Sequence, residues 1–233
     1  MKRVFLGVFV VAGIALFVSL GVWQLQRLAW KLDLIETVET RLAAEPVDAP
    51  GPSLWPELSA ANGAYRRVRI SGHFTGARPA LVQAVTQLGP GFWVVEPFQT
   101  DRGFVVLVNR GFATKLEADR LPGMLANRVT LTGLLRISEP GGAFLRSNDP
   151  AVDRWYSRDV TAIAKARGLD DVAPYFIDAD ASAISKAPPI GGLTVVRFRN
   201  HHLIYALTWF GLAATLAGWT VYLIRFRRGT DRE

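Results

Sequence analysis

Two long apolar runs, one near each end, constrain this chain more than any other feature. From Val4 to Gln24 the sequence is uncharged and mostly apolar, matching the roughly 20 residues that an α-helix needs to cross a bilayer core. A second such run extends from Leu203 to Ile224. Lys2 and Arg3 precede the first run, and Arg225, Arg227 and Arg228 follow the second. The positive-inside rule therefore puts both ends in the cytoplasm and the intervening stretch outside. Arg27, Lys31, Arg197 and Arg199 blur the contrast at the other face, but a long domain is translocated largely regardless of its charge. A cleaved signal peptide is the competing reading of the first run, with Ser19-Leu20-Gly21 as a small-x-small site. The length of the run, and its passage into Trp23-Gln24-Leu25-Gln26-Arg27, favour a retained anchor.

Between the runs the periodicity changes twice. Leu25, Leu28, Leu32, Ile35, Val38 and Leu42 recur at helical intervals, so a leading helix is expected over residues 25–44, ending before Pro46. Pro46 to Pro56, with Pro50, Gly51 and Pro52 inside it, reads as a rigid connector. Strand signals follow. Arg67 to Ile70 alternates, and Gly72 comes next, where the chain must bend or another backbone approaches. Ala80 to Thr86, Phe92 to Phe98, Phe104 to Asn109 and Val129 to Ile137 are short runs with strand character, as are Tyr175 to Ile177 and Leu193 to Arg199. Trp155 to Arg167 is the one convincing helix in the middle, stopping at Gly168. The expected fold class is a membrane protein: two transmembrane helices flanking a β-rich α+β extracytoplasmic domain, a small barrel or a sandwich. The segments are a cytoplasmic N-terminus 1–3, a first span 4–24, a domain 25–202 with its β-rich core at 64–200, a second span 203–224 and a cytoplasmic tail 225–233.

Composition narrows the chemistry. The net charge is +7, but the basic residues are dispersed, without a Lys/Arg block or an RNA-binding signature. That charge reads as membrane orientation and solvated surface, so no nucleic-acid partner is expected. Cysteine is absent and methionine occurs only at positions 1 and 124, which argues against thiol–disulfide exchange and against sulfur-rich copper or zinc sites. No G-x-S-x-G, H-E-x-x-H, P-loop or dinucleotide fingerprint occurs, so no enzymatic activity is expected. Asp170-Asp171 beside a helix end reads as a pair of solvated caps.

Three histidines remain, His73, His201 and His202. His73 lies in a strand-like stretch and reads as structural. His201 and His202 sit where the domain becomes the second span. By helical spacing, Tyr205, Ala206, Trp209 and Ala213 share a face with His202. The outer end of the first helix, with Trp23, Gln24 and Arg27, is expected at the same membrane depth. Such a set can supply an axial imidazole, aromatic walls and a cation for a carboxylate-bearing porphyrin. It can equally be an interface belt of aromatic and polar residues at a membrane boundary.

The ordered segments Gly21 to Arg27, Gly72-His73-Phe74, Val108 to Phe112, Asn148-Asp149-Pro150 with Trp155 and Arg158-Asp159, Phe176 to Ala179, Pro189 to Gly192, and Arg199 to Leu203 with Tyr205 and Thr208 to Leu212 resemble the surfeit-locus-one family of cytochrome c oxidase assembly proteins. The resemblance runs from the first span to the last. It implies two transmembrane helices flanking one domain in the periplasm or intermembrane space, with no cleavage of the first. It also implies maturation of the oxidase catalytic subunit, by receiving or stabilising haem a. Bacterial members carry a histidine at the start of the second span implicated in haem a binding, and His202 matches that position in the pattern Asn200-x-His202-Leu203. His201 fills a variable slot. The absence of an Arg/Ser-rich presequence fits a bacterial protein of the cytoplasmic (inner) membrane.

The expected site is therefore His202 as the haem iron ligand, with Trp23, Tyr205 and Trp209 packing the macrocycle and Arg27 near a propionate. The expected partners are the oxidase catalytic subunit, haem a synthase and the lipid bilayer. An alternative is a haem-free scaffold that holds the nascent oxidase subunit or haem a synthase. For that role Asn109-Arg110-Gly111 and the Trp155 region are candidate contacts, although their plainer reading is a strand-ending turn and a core tryptophan.

Overall fold

A computed structural model describes residues 2–121, 127–143, 145–181, 188–193 and 198–230. In chain order the elements are α1 (Lys2–Ala43), β1 (Val47–Asp48), a 3-10 turn (Pro52–Glu57), α2 (Ala60–Gly63), β2 (Arg67–Phe74), β3 (Ala80–Thr86), β4 (Gly89–Thr100), β5 (Val105–Ala113), α3 (Lys115–Ala118), β6 (Val129–Ile137), a second 3-10 turn (Pro150–Val152), α4 (Val160–Ala166), β7 (Val172–Ala179) and α5 (His202–Thr230). They divide into two units, each described by itself. α1 up to Thr37 belongs with α5, and the chain from Val38 to Leu193 forms the β-rich domain.

α1 is one uninterrupted helix, so the first apolar run and the amphipathic stretch after it are continuous. Phe5–Ala43 and His202–Arg225 are both long and apolar enough to cross a membrane. Their outward residues are large and apolar, among them Phe9, Leu16, Leu207 and Val221. A contiguous apolar surface of this kind marks contact with a membrane or with another protein.

The strands form a closed barrel. The order β2-β6-β7-β5-β4 returns to β2 through the pairing of Gly72, His73 and Phe74 with Thr100, Gln99 and Phe98, while β1 and β3 extend the sheet outside the ring. Gly72 makes the closure possible, because β2 leaves β6 there and meets β4. A Cβ at position 72 would stand 2.0 Å from the Gln99 carbonyl oxygen. The close approach expected at Gly72 is thus the seam of the barrel.

Alternation then sorts the side chains. Val106 and Val108 of β5, with Tyr175 and Ile177 of β7, point into the barrel beside Phe74, Phe98 and Leu131. Leu107 and Phe176 point outward, where α4 covers them with Val160 and Ile163 beside Trp155. β5 is buried on both faces, which explains its continuous apolar run.

Three expectations need correction. The helix expected over Trp155 to Arg167 spans only Val160–Ala166. Trp155 instead bridges to Val82, with Gln83 N–H donating to its carbonyl at 2.9 Å, and the helix starts once Asp159 accepts from the Ala162 N–H. α2 and α3 are further short helices, each with a reciprocal capping box, at Ser59/Asn62 and at Thr114/Glu117. Pro46 to Pro56 is more than a connector. It contains β1, parallel to β2, and it brings Trp55 onto the core, while Tyr175 Oη donates to the Pro50 carbonyl at 2.7 Å. Burial, opposed by the nearby Arg102 charge, pushes the Tyr175 phenol well above its ordinary range. The strand expected over Leu193 to Arg199 falls largely on residues 194–197, outside the described residues.

Candidate functional site

The two long helices pair by a regular code. On α1 up to Thr37, residues 10, 13, 14, 17, 20, 21, 24, 28, 31, 34 and 35 are drawn inward, and on α5 residues 202, 206, 209, 210, 213, 216, 217 and 220 are. Both sets recur at three- and four-residue steps, the spacing of one helix face. The direction follows from the contacts. Gln24 meets His202, Gly21 meets Phe210, Phe17 stacks on Trp209 at 5.8 Å, and Gly13 lies by Leu216. As numbers fall on α1 they rise on α5, so the helices are antiparallel. Ala206 and Ala213 are almost wholly buried between them, and small residues of this kind let membrane helices approach closely.

His202 opens α5. Its backbone N–H donates to the Asn200 side-chain oxygen at 3.4 Å, and its ring Nδ1 lies 2.7 Å from Gln24 Oε1. In a neutral ring with Nδ1 donating to that amide oxygen, the lone pair lies on Nε2. No other hydrogen bond engages the ring among the described residues. His201 is exposed and serves the helix through its carbonyl, which accepts from Tyr205 N–H at 3.2 Å.

The other expected site residues are distributed around this pair. Trp209 is half-buried and stacked on Phe17. Arg27 is exposed and lies over the Trp30 ring at 4.6 Å. Trp23 and Tyr205 are both about half exposed, and among the described residues neither makes a side-chain hydrogen bond to His202. His202, Gln24 and Trp209 therefore share the seam between the helices, while Trp23, Arg27 and Tyr205 lie on the outward surface.

A family profile described as the SURF1 family matches residues 11–214. The chain belongs to the SURF1 family. Its curated relatives include Surfeit locus protein 1 of Rattus norvegicus, 38% identical over 84% of this chain and 68% of that protein. Surfeit locus protein 1 of Mus musculus is 38% identical over 89% of this chain and 72% of the relative. The Homo sapiens protein is 36% identical over 91% and 74% respectively.

Several segments that carry the SURF1 resemblance meet inside the β-rich domain as a buried polar framework. Asp178, with only 3% of its side chain exposed, accepts from Asn109 Nδ2 at 2.7 Å, Arg136 at 2.9 Å and Arg158 at 3.2 Å. Arg158 also grips Glu139 through Nε and Nη2, at 3.0 and 2.7 Å, and Arg136 reaches the same carboxylate at 3.3 Å. Both guanidinium groups lie over the Phe176 ring. Among the described residues two cations, Arg136 and Arg158, thus meet two anions, Glu139 and Asp178.

A second pair lies at the barrel interior, where Arg110 Nη1 donates to Glu96 at 2.6 Å over the Phe74 ring. Burial pushes the Glu96 carboxyl up, against the pull of Arg110. Next to it, the Ile190 backbone exchanges hydrogen bonds with Phe112 at 2.9 and 2.8 Å. Gly111 is required there, because a Cβ would stand 2.1 Å from the Ile190 carbonyl oxygen.

These contacts bear on both readings of the candidate recognition residues, and Asn109-Arg110-Gly111, expected as a contact surface or a strand-ending turn, lies instead within β5. Asn109, Arg110 and Trp155 are each at most 3% exposed, so they belong to the framework and are not surface contacts. Asn148 is likewise structural, accepting from the backbone N–H groups of Tyr156 and Ser157. Two features lay beyond sequence reasoning. One is the role of Gln24, visible only as a polar residue at the end of an apolar run. The other is the set of Asp178, Arg136, Arg158 and Glu139, for which the signal was the unusual Asn-Arg-Gly inside an otherwise apolar strand.

Proposed function

We propose that this chain is a non-enzymatic assembly factor for haem-copper cytochrome oxidase, which receives or stabilises haem a through His202 for insertion into the catalytic subunit. Membership of the SURF1 family supports the assembly role. The observation that carries the haem reading is the state of His202: one ring nitrogen is engaged by Gln24 and, among the described residues, the other has no hydrogen-bond partner, at the end of an apolar helix pair. That is what an axial imidazole requires. Among the described residues no cluster of three or more His, Asp or Glu could hold a separate metal ion. The protein's own part is to bind and orient. His202 ligates, the Trp209 face and the exposed Trp23 and Tyr205 rings offer apolar contact, and Arg27 is open to a propionate. In this reading α1 and α5 anchor the chain in the bacterial cytoplasmic membrane, the barrel stands in the periplasm, and haem a synthase and the oxidase subunit are the partners on either side of the transfer.

The test is the absorption spectrum of full-length protein purified from cells that make haem a. Wild type should carry haem a, and His202→Ala should lose it or show altered bands. Equal haem content with unchanged spectra would rule out ligation by His202. Oxidase subunit co-purifying with a haem-free His202→Ala protein, with maturation intact, would favour the haem-free scaffold.

A further inference from the structure

We infer that Gln24 is a positioning residue that selects the ligating tautomer of His202; the inference rests on the haem a reading above. A neutral imidazole carries one proton, and the bond made by one nitrogen determines which nitrogen is left to bind. Here Gln24 Oε1 faces Nδ1 at 2.7 Å. An amide oxygen can only accept, so the proton resides on Nδ1 and the lone pair on Nε2. If the Gln24 amide were turned over, its NH2 would donate to Nδ1, the proton would move to Nε2, and the ring could not ligate through that atom.

Three features hold the pair in place. The antiparallel seam puts residue 24 opposite residue 202, fixed on the far side by Gly21 against Phe210 and by Phe17 on Trp209. The Asn200 side chain holds the His202 backbone at the helix start. Both side chains are half-buried, so competing water is reduced and the hydrogen bond gains in weight. Hydrogen-bond partners of ligating histidines fix ring orientation and raise ligand basicity, and their loss typically costs about 10–100-fold in affinity. Gln24 thus reports from α1 on the ligand carried by α5: only a correctly paired helix couple presents Nε2.

The experiment uses the full-length chain in detergent. Nitrogen-15 NMR of the histidine rings in haem-free protein, assigned with His202→Ala, should show His202 protonated at Nδ1 in wild type. Gln24→Leu should give a mixture of tautomers and bind haem a about 10–100-fold more weakly. Gln24→Glu keeps an acceptor, and should retain haem with a lowered midpoint potential as the imidazole becomes more basic. A wild-type proton on Nε2 would overturn the inference whatever the haem result. So would a Gln24→Leu protein with wild-type affinity, spectrum and potential while His202→Ala loses haem; in that case ligation by His202 stands and only the role of Gln24 fails. If His202→Ala also keeps haem a unchanged, ligation itself fails, and the tautomer measurement still judges the Gln24 contact independently.

Discussion

Gly21 of α1 and the Phe210 ring of α5 occupy adjoining space, so that a Cβ at position 21 would stand 2.6 Å from the ring. The helices come together because this position has no side chain. Gly21→Val is therefore expected to separate them, at about 1–3 kcal/mol as for other overpacked interfaces, and to break the contact between Gln24 and His202. The chain has no native cysteine, so cysteines placed at Phe17 and Trp209 give a clean reporter. Cross-linking of Phe17→Cys with Trp209→Cys should be efficient in the parent and strongly reduced with Gly21→Val. Equal cross-linking in both would mean that the ring relaxes and the seam is not tight.

Asp178 anchors the polar framework of the domain, and removing its charge leaves Arg136 and Arg158, among the described residues, with Glu139 as their remaining anion. Breaking a buried pair on one side typically costs about 3–5 kcal/mol, and Asp178→Asn should lower domain stability by that order. Glu139 has 36% of its side chain exposed, so Glu139→Gln should cost less, about 1 kcal/mol or below. Urea unfolding followed by tryptophan fluorescence measures both. The ranking is the test, and equal losses would contradict the assignment of Asp178 as the centre.

Asp153 gives the domain an acid-sensitive element. Burial acts to raise its pKa but is outweighed by hydrogen bonds from Trp155 and Arg167 and by the charges of Arg167 and Arg78, so the carboxyl lies below its ordinary range. A group with a depressed folded pKa stabilises fully above its unfolded value, about 3.9, and that contribution disappears as pH falls through the folded value. Asp153→Asn should therefore flatten the fall in melting temperature between about pH 5 and pH 2. The residue has φ 52°, a left-handed conformation that asparagine adopts readily, so the substitution tests charge rather than backbone strain. An acid limb as steep as wild type would remove Asp153 from the account.

Much of the β-rich domain was legible because alternation is a local property. β2, β3 and β6 were readable from short runs of their own residues, and Gly72 from its position after one. What escaped was set by partners far away in sequence. β1 has only two residues and exists because β2 lies beside it. Trp155 looks like the start of a helix, yet Val82 and Gln83 hold it extended. At the candidate site, the histidine was legible from its place at the head of an apolar run. Gln24 was not, since nothing in a lone polar residue at a helix end tells which side chain it faces.

The amino-acid sequence by itself determined two apolar helices and a strand-rich middle, because hydrophobic length and side-chain period depend only on neighbouring residues. Tertiary structure alone decided three further things. The sheet closes into a barrel at Gly72. Arg136 and Arg158 pair with Asp178, and Asn109 hydrogen-bonds its carboxylate. His202 meets Gln24 across the helix seam. Each of these joins residues from 20 to 178 positions apart, through closure and desolvation that no local pattern encodes.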